Sequence, residues 1–182
     1  MRKQLPRAIL SIVEVEYLLS QPDTLAPQGV RDRAMLEVLY STGLRRTELA
    51  TVRVQGVDLK GATVFVRQAK GGYQRLVPVG VRALKWLNRY IHEVRYLFFV
   101  GVDTHVLFLT DYGEPFIKAR LSVVVKRYMK AASINKEGAA HLLRHAMATH
   151  MLENGADIRF IPEMVGHLTV ARTQLYNKGA SG

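Results

Sequence analysis

Residues 140–176 read AHLLRHAMATHMLENGADIRFIPEMVGHLTVARTQLY and concentrate four chemically distinctive side chains in one short segment. They are His141, Arg144, His167 and Tyr176. Arginine offers a planar fork of donors that matches two phosphate oxygens, histidine can donate hydrogen bonds or carry protons, and tyrosine becomes a nucleophile once its proton is removed. The segment therefore predicts a site that holds a phosphodiester and attacks it with a phenol.

The spacing within this segment places His141, Arg144 and His145 on one face of a predicted helix, because residues three and four apart are neighbours on a helix surface. Two other interpretations are open: His145 can be a capping or buried histidine, or His141 and His145 can hold zinc. Against zinc, Leu142 stands where a zinc protease has its general-base glutamate, and Arg144 would repel the metal. We expect no metal here.

The composition indicates a globular domain with a polyanionic partner. The 182 residues are 48% hydrophobic, which suffices for one well-cored domain. Lysine and arginine number 26 against 15 acidic residues, so the partner is nucleic acid or an acidic membrane surface. Zero cysteines exclude disulfides and thiolate metal sites. No apolar run is long enough to span a membrane or form a signal peptide, and we expect a cytoplasmic protein.

Periodicity predicts a mainly α fold with a small antiparallel β-sheet (α+β). β-Branched and aromatic runs indicate a hairpin, with strands at 63–67 and 75–79 around the turn Gly71-Gly72, and a further strand at 106–109. Helices are expected wherever apolar residues recur at three and four positions. Their predicted ranges are 11–20, 28–42, 45–52, 81–95, 117–132, 139–154, 157–165 and 170–176.

The predicted helix at 117–132 lies in a strongly basic stretch. Residues 115–136 contain six basic residues and no acidic one. Such a run is ordinarily a solvated helix face, but beside a phosphate site it becomes a track for a nucleic-acid backbone. The candidate DNA-binding residues are Lys118, Arg120, Lys126, Arg127 and Lys130.

Two upstream motifs, TGLRRTEL at 42–49 and AKGG at 69–72, complete a pattern. With them the chain resembles the catalytic domain of the tyrosine recombinase (phage integrase) family, particularly its bacterial Xer-type branch, over residues 28–176. The resemblance implies the integrase catalytic-domain fold and assigns the catalytic roles. The catalytic residues would be Arg45, Lys70, His141, Arg144, His167 and Tyr176, with Glu48 and His145 in support.

The same resemblance implies site-specific DNA recombination through a 3′-phosphotyrosyl intermediate, with no cofactor and no metal. The expected partner is double-stranded DNA, bound by a homotetramer on paired sites in the full-length protein, at the bacterial nucleoid. Residues 1–182 would form a single catalytic domain, and the family's amino-terminal core-binding domain would be absent. The alternatives are DNA relaxation of the type IB topoisomerase kind and a DNA-binding module that has lost catalysis.

Overall fold

A computed structural model describes residues 9–67 and 73–153 of the chain. These residues form six α-helices and a small three-stranded antiparallel sheet in the order β1-β2-β3. The helices are α1 (Ile12–Leu19), α2 (Pro27–Thr42), α3 (Arg46–Thr51), α4 (Val81–Arg89), α5 (Lys118–Ala131) and α6 (Ala139–Glu153), and the strands are β1 (Val57–Asp58), β2 (Thr63–Arg67) and β3 (Gln74–Pro78). The predicted α+β class is confirmed, and the sheet gains β1, which was not predicted.

Helix ends follow the local sequence. Ser11 and Glu14 form a capping box at the start of α1, with Ser11 Oγ accepting from the Glu14 backbone and Glu14 Oε1 from that of Ser11, each at 3.1 Å. Gly43 ends α2 with φ +64°, a left-handed conformation that glycine adopts without a Cβ clash. Both predicted boundaries are confirmed within one residue.

Helix α2 is the centre of the core and packs against α1, α4 and α6. Its predicted apolar stripe is buried as expected: Ala34, Met35, Val38 and Leu39 are at most 2% exposed. Because α2 ends at the motif 42–49, the central helix fixes the position of that motif.

The predicted helix at 81–95 is regular only as far as Arg89. It continues as a π-helical turn and then a 3₁₀ turn to Phe98. The hydroxyl of the buried Tyr90 donates to the Leu107 carbonyl at 2.8 Å, and Arg95 Nη2 donates to the Val106 carbonyl at 2.7 Å. The change of helical pitch lets both side chains reach this neighbouring segment.

The strand predicted at 106–109 is wrong. Only two isolated bridges form there, Arg53 with Val106 and Leu109 with Pro115. Side chains take the place of a neighbouring strand: the Leu107 carbonyl accepts from Tyr90 and Arg95. The segment therefore bends at residues 107 and 108 and belongs to no ladder of the described residues.

The amino-terminal stretch is tied to both ends of α6. Near the end of the helix, the buried His150 lies 3.2 Å from the Leu10 carbonyl through Nε2 and 2.6 Å from the Tyr40 hydroxyl through Nδ1. Just before the helix, Lys136 Nζ donates to the Ile9 carbonyl and to Glu14 Oε1, each at 2.9 Å. The first described residues thus act as a brace across α6.

Candidate active site

The motif 42–49 forms a tight connection that presents Arg45 at the start of α3. Thr42 Oγ1 donates to the Val38 carbonyl and accepts from the Leu44 backbone, which fixes the turn after α2. Arg45 caps α3, and its backbone N–H donates to Glu48 Oε1 at 3.0 Å. The backbone at Arg45 is thus held by a side chain one turn later.

Glu48 is buried and paired on both oxygens. It is 3% exposed, and its Oε2 lies 2.7 Å from Nη2 of Arg75 on β3. A buried carboxylate is tolerated when it is paired in this way. Glu48 therefore links the turn before α3 to the sheet.

Helix α6 brings Arg144 and His141 to the same place. Arg144 is buried at 5% exposure, whereas His141, one turn earlier, is exposed. Burial and the positive charge of Arg45 lower the pKa of Arg144 to about 10, although Glu48 opposes the shift. The side chain is cationic at neutral pH, and an arriving anion would relieve the repulsion between the guanidinium groups.

His141 is biased toward its neutral form. Although His141 is exposed, partial desolvation by its surroundings, followed by the charges of Arg46 and Arg144, lowers its pKa below the usual value. A neutral imidazole has one donor and one acceptor nitrogen, so His141 can donate a hydrogen bond to phosphate or accept a proton.

These residues meet at a small cavity of about 110 Å³, lined by Leu44, Arg45, Arg46, Thr47, Lys118, His141 and Arg144. The structure therefore brings together three of the predicted catalytic residues, Arg45, His141 and Arg144, and one predicted DNA-binding lysine. Of the seven lining residues, three are arginines and one is a lysine, and none is acidic. The arrangement suits a phosphate group.

A larger cavity of about 870 Å³ adjoins the small one and shares Arg46 and His141 with it. Lys126 and Lys130, on α5, line this second cavity. Lys118 lines the first, so three of the five candidate DNA-binding residues surround the site. Arg120 is exposed on the same helix.

Arg127 of α5 points to a different partner. Its Nη2 lies 3.1 Å from Oδ2 of Asp32, a fully buried carboxylate that also accepts from the Tyr128 hydroxyl at 2.5 Å and from Arg31 Nε at 3.0 Å. Burial and Asp32 together raise the pKa of Tyr128 to about 12, so its hydroxyl stays protonated as the donor. The Arg127 guanidinium thus pins α5 to α2.

Asp32→Ala should lower the free energy of unfolding by about 3–5 kcal/mol, because it removes the fully buried carboxylate that accepts from Arg31 and Tyr128 and leaves the buried Arg31 with only the half-exposed Asp111 as a counter-charge. Urea unfolding measures the loss. Glu93→Ala is the control: it removes an exposed pair with Arg89 and should cost at most about 1 kcal/mol. Equal effects of the two variants would contradict the structural role of Asp32.

The structure does not describe every residue that the sequence predicts for the site. Lys70, His167 and Tyr176, and the helices predicted at 157–165 and 170–176, lie outside the described residues. His145 is half-buried on α6, next to Arg144. Within 9–67 and 73–153, no three histidine, cysteine or acidic side chains are grouped as a metal site would require.

Sequence reasoning missed two residues of the site. For Arg75 the sequence contained an indication, because strand alternation places it on the same face as the buried Val77. A charged side chain on that inward face requires a partner of opposite charge. Arg46 follows Arg45 directly and hydrogen-bonds Ser122 of α5. Nothing in its spacing distinguishes it from a surface arginine.

Comparison with known proteins gives consistent results. Residues 9–181 match the model of the phage integrase family. The chain is 53% identical over 174 residues to "Tyrosine recombinase XerC 2" of Ralstonia nicotianae and 42% identical to "Tyrosine recombinase XerD" of Staphylococcus haemolyticus, covering 96% of this chain in each case. It spans only 50% and 58% of these relatives.

Among solved structures, the crystal structure of XerA recombinase matches with a TM-score of 0.82 and 33% identity, covering 96% of this chain and 61% of that one. The fold predicted from the resemblance is thereby confirmed. None of the helices within the described residues has the length and apolarity needed to cross a membrane.

Proposed function

Because the chain belongs to the phage integrase family, we propose that it cuts and rejoins DNA strands through a covalent bond between Tyr176 and a DNA phosphate. The observation that carries the proposal is the convergence of Arg45, His141 and Arg144 on one small cationic cavity. Its relatives' names, tyrosine recombinases, support site-specific recombination as the biological reaction.

Arg45 and Arg144 form what we call the phosphate clamp. Their guanidinium groups would bind the nonbridging oxygens of the scissile phosphate and stabilise the negative charge that develops as the phosphorus becomes pentacoordinate. His141 would donate a further hydrogen bond to these oxygens. Glu48 supports the clamp by holding the Arg45 backbone, and His145 supports it from α6.

The covalent step exchanges one phosphoester for another. The Tyr176 phenol gives up its proton to solvent as its oxygen attacks phosphorus. The bond from phosphorus to the 5′ oxygen breaks, and Lys70 gives that oxygen a proton, leaving a 3′-phosphotyrosyl link and a free 5′-hydroxyl. His167 would assist at the phosphate. Attack by the 5′-hydroxyl of a partner strand then releases the tyrosine, so the bond energy is conserved and neither ATP nor a cofactor is consumed.

The positive net charge of the chain and the basic side chains around the candidate site support DNA as the partner. The chain carries a net charge of +11, and Lys118, Lys126 and Lys130 flank the candidate site, with Arg120 on the same helix. These side chains would contact the backbone of double-stranded DNA. We assign residues 1–182 to a single catalytic domain acting at the nucleoid. Recombination would require two paired sites and four such domains.

A covalent-capture assay tests the proposal. The protein is mixed with a pool of nicked duplexes that have randomised half-sites. When the nick lies beside the cleaved phosphate, the short oligonucleotide that carries the free 5′-hydroxyl diffuses away, and the covalent adduct cannot be reversed. Denaturant-resistant protein–DNA adducts, recovered and sequenced, are the expected result. Absence of any adduct would contradict cleavage, and site-independent relaxation of supercoiled plasmid would instead indicate a topoisomerase.

Lys70→Ala should be slow on ordinary DNA and recover most of its cleavage rate when the 5′ bridging oxygen is replaced by sulfur. An alkoxide, whose conjugate acid has a pKa of ~15, needs a proton to leave. A thiolate, whose conjugate acid resembles a free cysteine at about 8.5, leaves unaided. Single-turnover rates on the two substrates measure the recovery.

The matched control is Arg144→Ala, which should stay slow on both substrates because sulfur leaves the nonbridging oxygens unchanged. Equal impairment of Lys70→Ala on both substrates would mean that the lysine only contacts phosphate. The proton would then come from another group, with His167 next in line.

A further inference from the structure

We infer that Arg75 positions the phosphate clamp by holding the Glu48 carboxylate away from the clamp's guanidinium groups. The inference rests on the function proposed above and adds a residue to it. Arg75 lies on β3, outside the motifs that carry the family resemblance, and would act through Glu48 without touching DNA.

The geometry gives Glu48 a separate partner for each oxygen. Oε1 accepts the Arg45 backbone N–H at 3.0 Å, and Oε2 lies 2.7 Å from Arg75 Nη2. The Glu48 and Arg75 side chains are 3% and 13% exposed. One oxygen of the carboxylate is therefore hydrogen-bonded to the backbone at Arg45, and the other is ion-paired with the sheet without hydrogen-bond geometry.

Without Arg75 the buried carboxylate would need another counter-charge. Arg144 is a candidate, since it is buried and lines the same small cavity as Arg45, whose backbone Glu48 binds, and the Glu48 charge raises its pKa against the effects of burial and Arg45. A guanidinium that is bound to Glu48 has fewer donors for the fork geometry that a phosphate requires. Loss of Arg75 should thus misplace the clamp rather than weaken DNA binding.

The first experiment compares single-turnover adduct formation at saturating nicked duplex. Arg75→Met, which keeps the length but not the charge, should be slower by about 10²-fold, the scale for a misplaced catalytic group. The DNA concentration that gives half the maximal rate should stay close to that of the wild type. Arg89→Met, which removes an arginine from the exposed pair with Glu93, is the control and should react normally.

The decisive variant is the double mutant Glu48→Gln, Arg75→Met. A glutamine carries no charge to capture Arg144, so the double mutant should react at least about tenfold faster than Arg75→Met. Because the second substitution also removes the stability cost of an unpaired buried carboxylate, the rates are compared at a temperature where urea unfolding shows every variant to be fully folded, so that the rescue reports the clamp and not the folded fraction. A double mutant as slow as Arg75→Met, or slower, would overturn the inference.

A further experiment measures the coupling between Glu48 and Arg75 in the absence of DNA. Urea unfolding of the two single mutants and the double mutant should show coupling of about tenfold in the folding equilibrium constant. Additive effects would overturn the inference even if the wild type cleaves DNA. A coupled pair in a wild-type protein that forms no adduct would instead contradict the proposed cleavage reaction.

Discussion

Tyr176→Phe should abolish the covalent protein–DNA adduct and leave duplex binding intact. The substitution deletes only the phenolic oxygen, which forms the bond to phosphorus, and keeps the ring. The rate should fall by at least about 10⁴-fold, the scale on which enzymes lose turnover when a covalent nucleophile is removed. Denaturing gels of nicked duplex measure the adduct, and a mobility shift measures binding.

The control for this experiment is another tyrosine of the same chain. Tyr112→Phe changes an exposed side chain of a surface loop and should leave adduct formation unchanged. An adduct that persists in Tyr176→Phe would assign the nucleophile to a different residue, and peptide mapping of the attached DNA would identify it.

Arg144→Ala should slow adduct formation by about 10²-fold or more. Removing one preorganised donor from a charge-stabilising site costs this much, and Arg144 is the buried member of the clamp. Arg144→Lys should recover only part of the rate, because an ammonium group cannot span two phosphate oxygens as a guanidinium does. Single-turnover rates, with thermal unfolding to verify folding, make the comparison.

Removal of metal ions by a chelator distinguishes charge stabilisation by the two arginines from metal catalysis. If two arginines perform the charge stabilisation, adduct formation by the wild type should be indifferent to excess EDTA. Loss of activity on chelation, restored by added zinc, would instead support a metal held by His141 and His145.

The sequence predicted the fold class and predicted that Arg45, His141 and Arg144 would lie together, but it did not predict every element around them. Arg45 and Arg144 are 99 positions apart, yet each lies in a short motif whose local structure is dictated by nearby residues. Gly43 ends one helix and allows Arg45 to begin the next, and helical spacing carries Arg144 one turn from His141. Such short-range rules survive folding almost unchanged.

Predictions failed where side chains from distant elements decide the backbone. The strand expected at 106–109 has the right composition, but Tyr90 and Arg95 occupy carbonyls that a neighbouring strand would use. The same two contacts alter the helix that carries these side chains. Propensity describes a segment alone and therefore contains no information about such partners.

Arg75 and Arg127 show that the sequence does not identify the partner of a charged residue either. Sequence composition counts each as one positive charge near a phosphate site. In the structure Arg75 faces Glu48 and Arg127 faces Asp32. Only the pairing of buried carboxylates with particular arginines separates structural cations from those that line the cavities.

The brace across α6 has a mechanical consequence. A carbonyl only accepts hydrogen bonds, so His150 Nε2 carries the proton toward Leu10 and the Tyr40 hydroxyl donates to Nδ1. Lys136, just before α6, donates to the Ile9 carbonyl of the same stretch, so this stretch is bound near both ends of the helix. A movement of residues 9 and 10 would therefore act on contacts near both ends of the helix that carries His141 and Arg144.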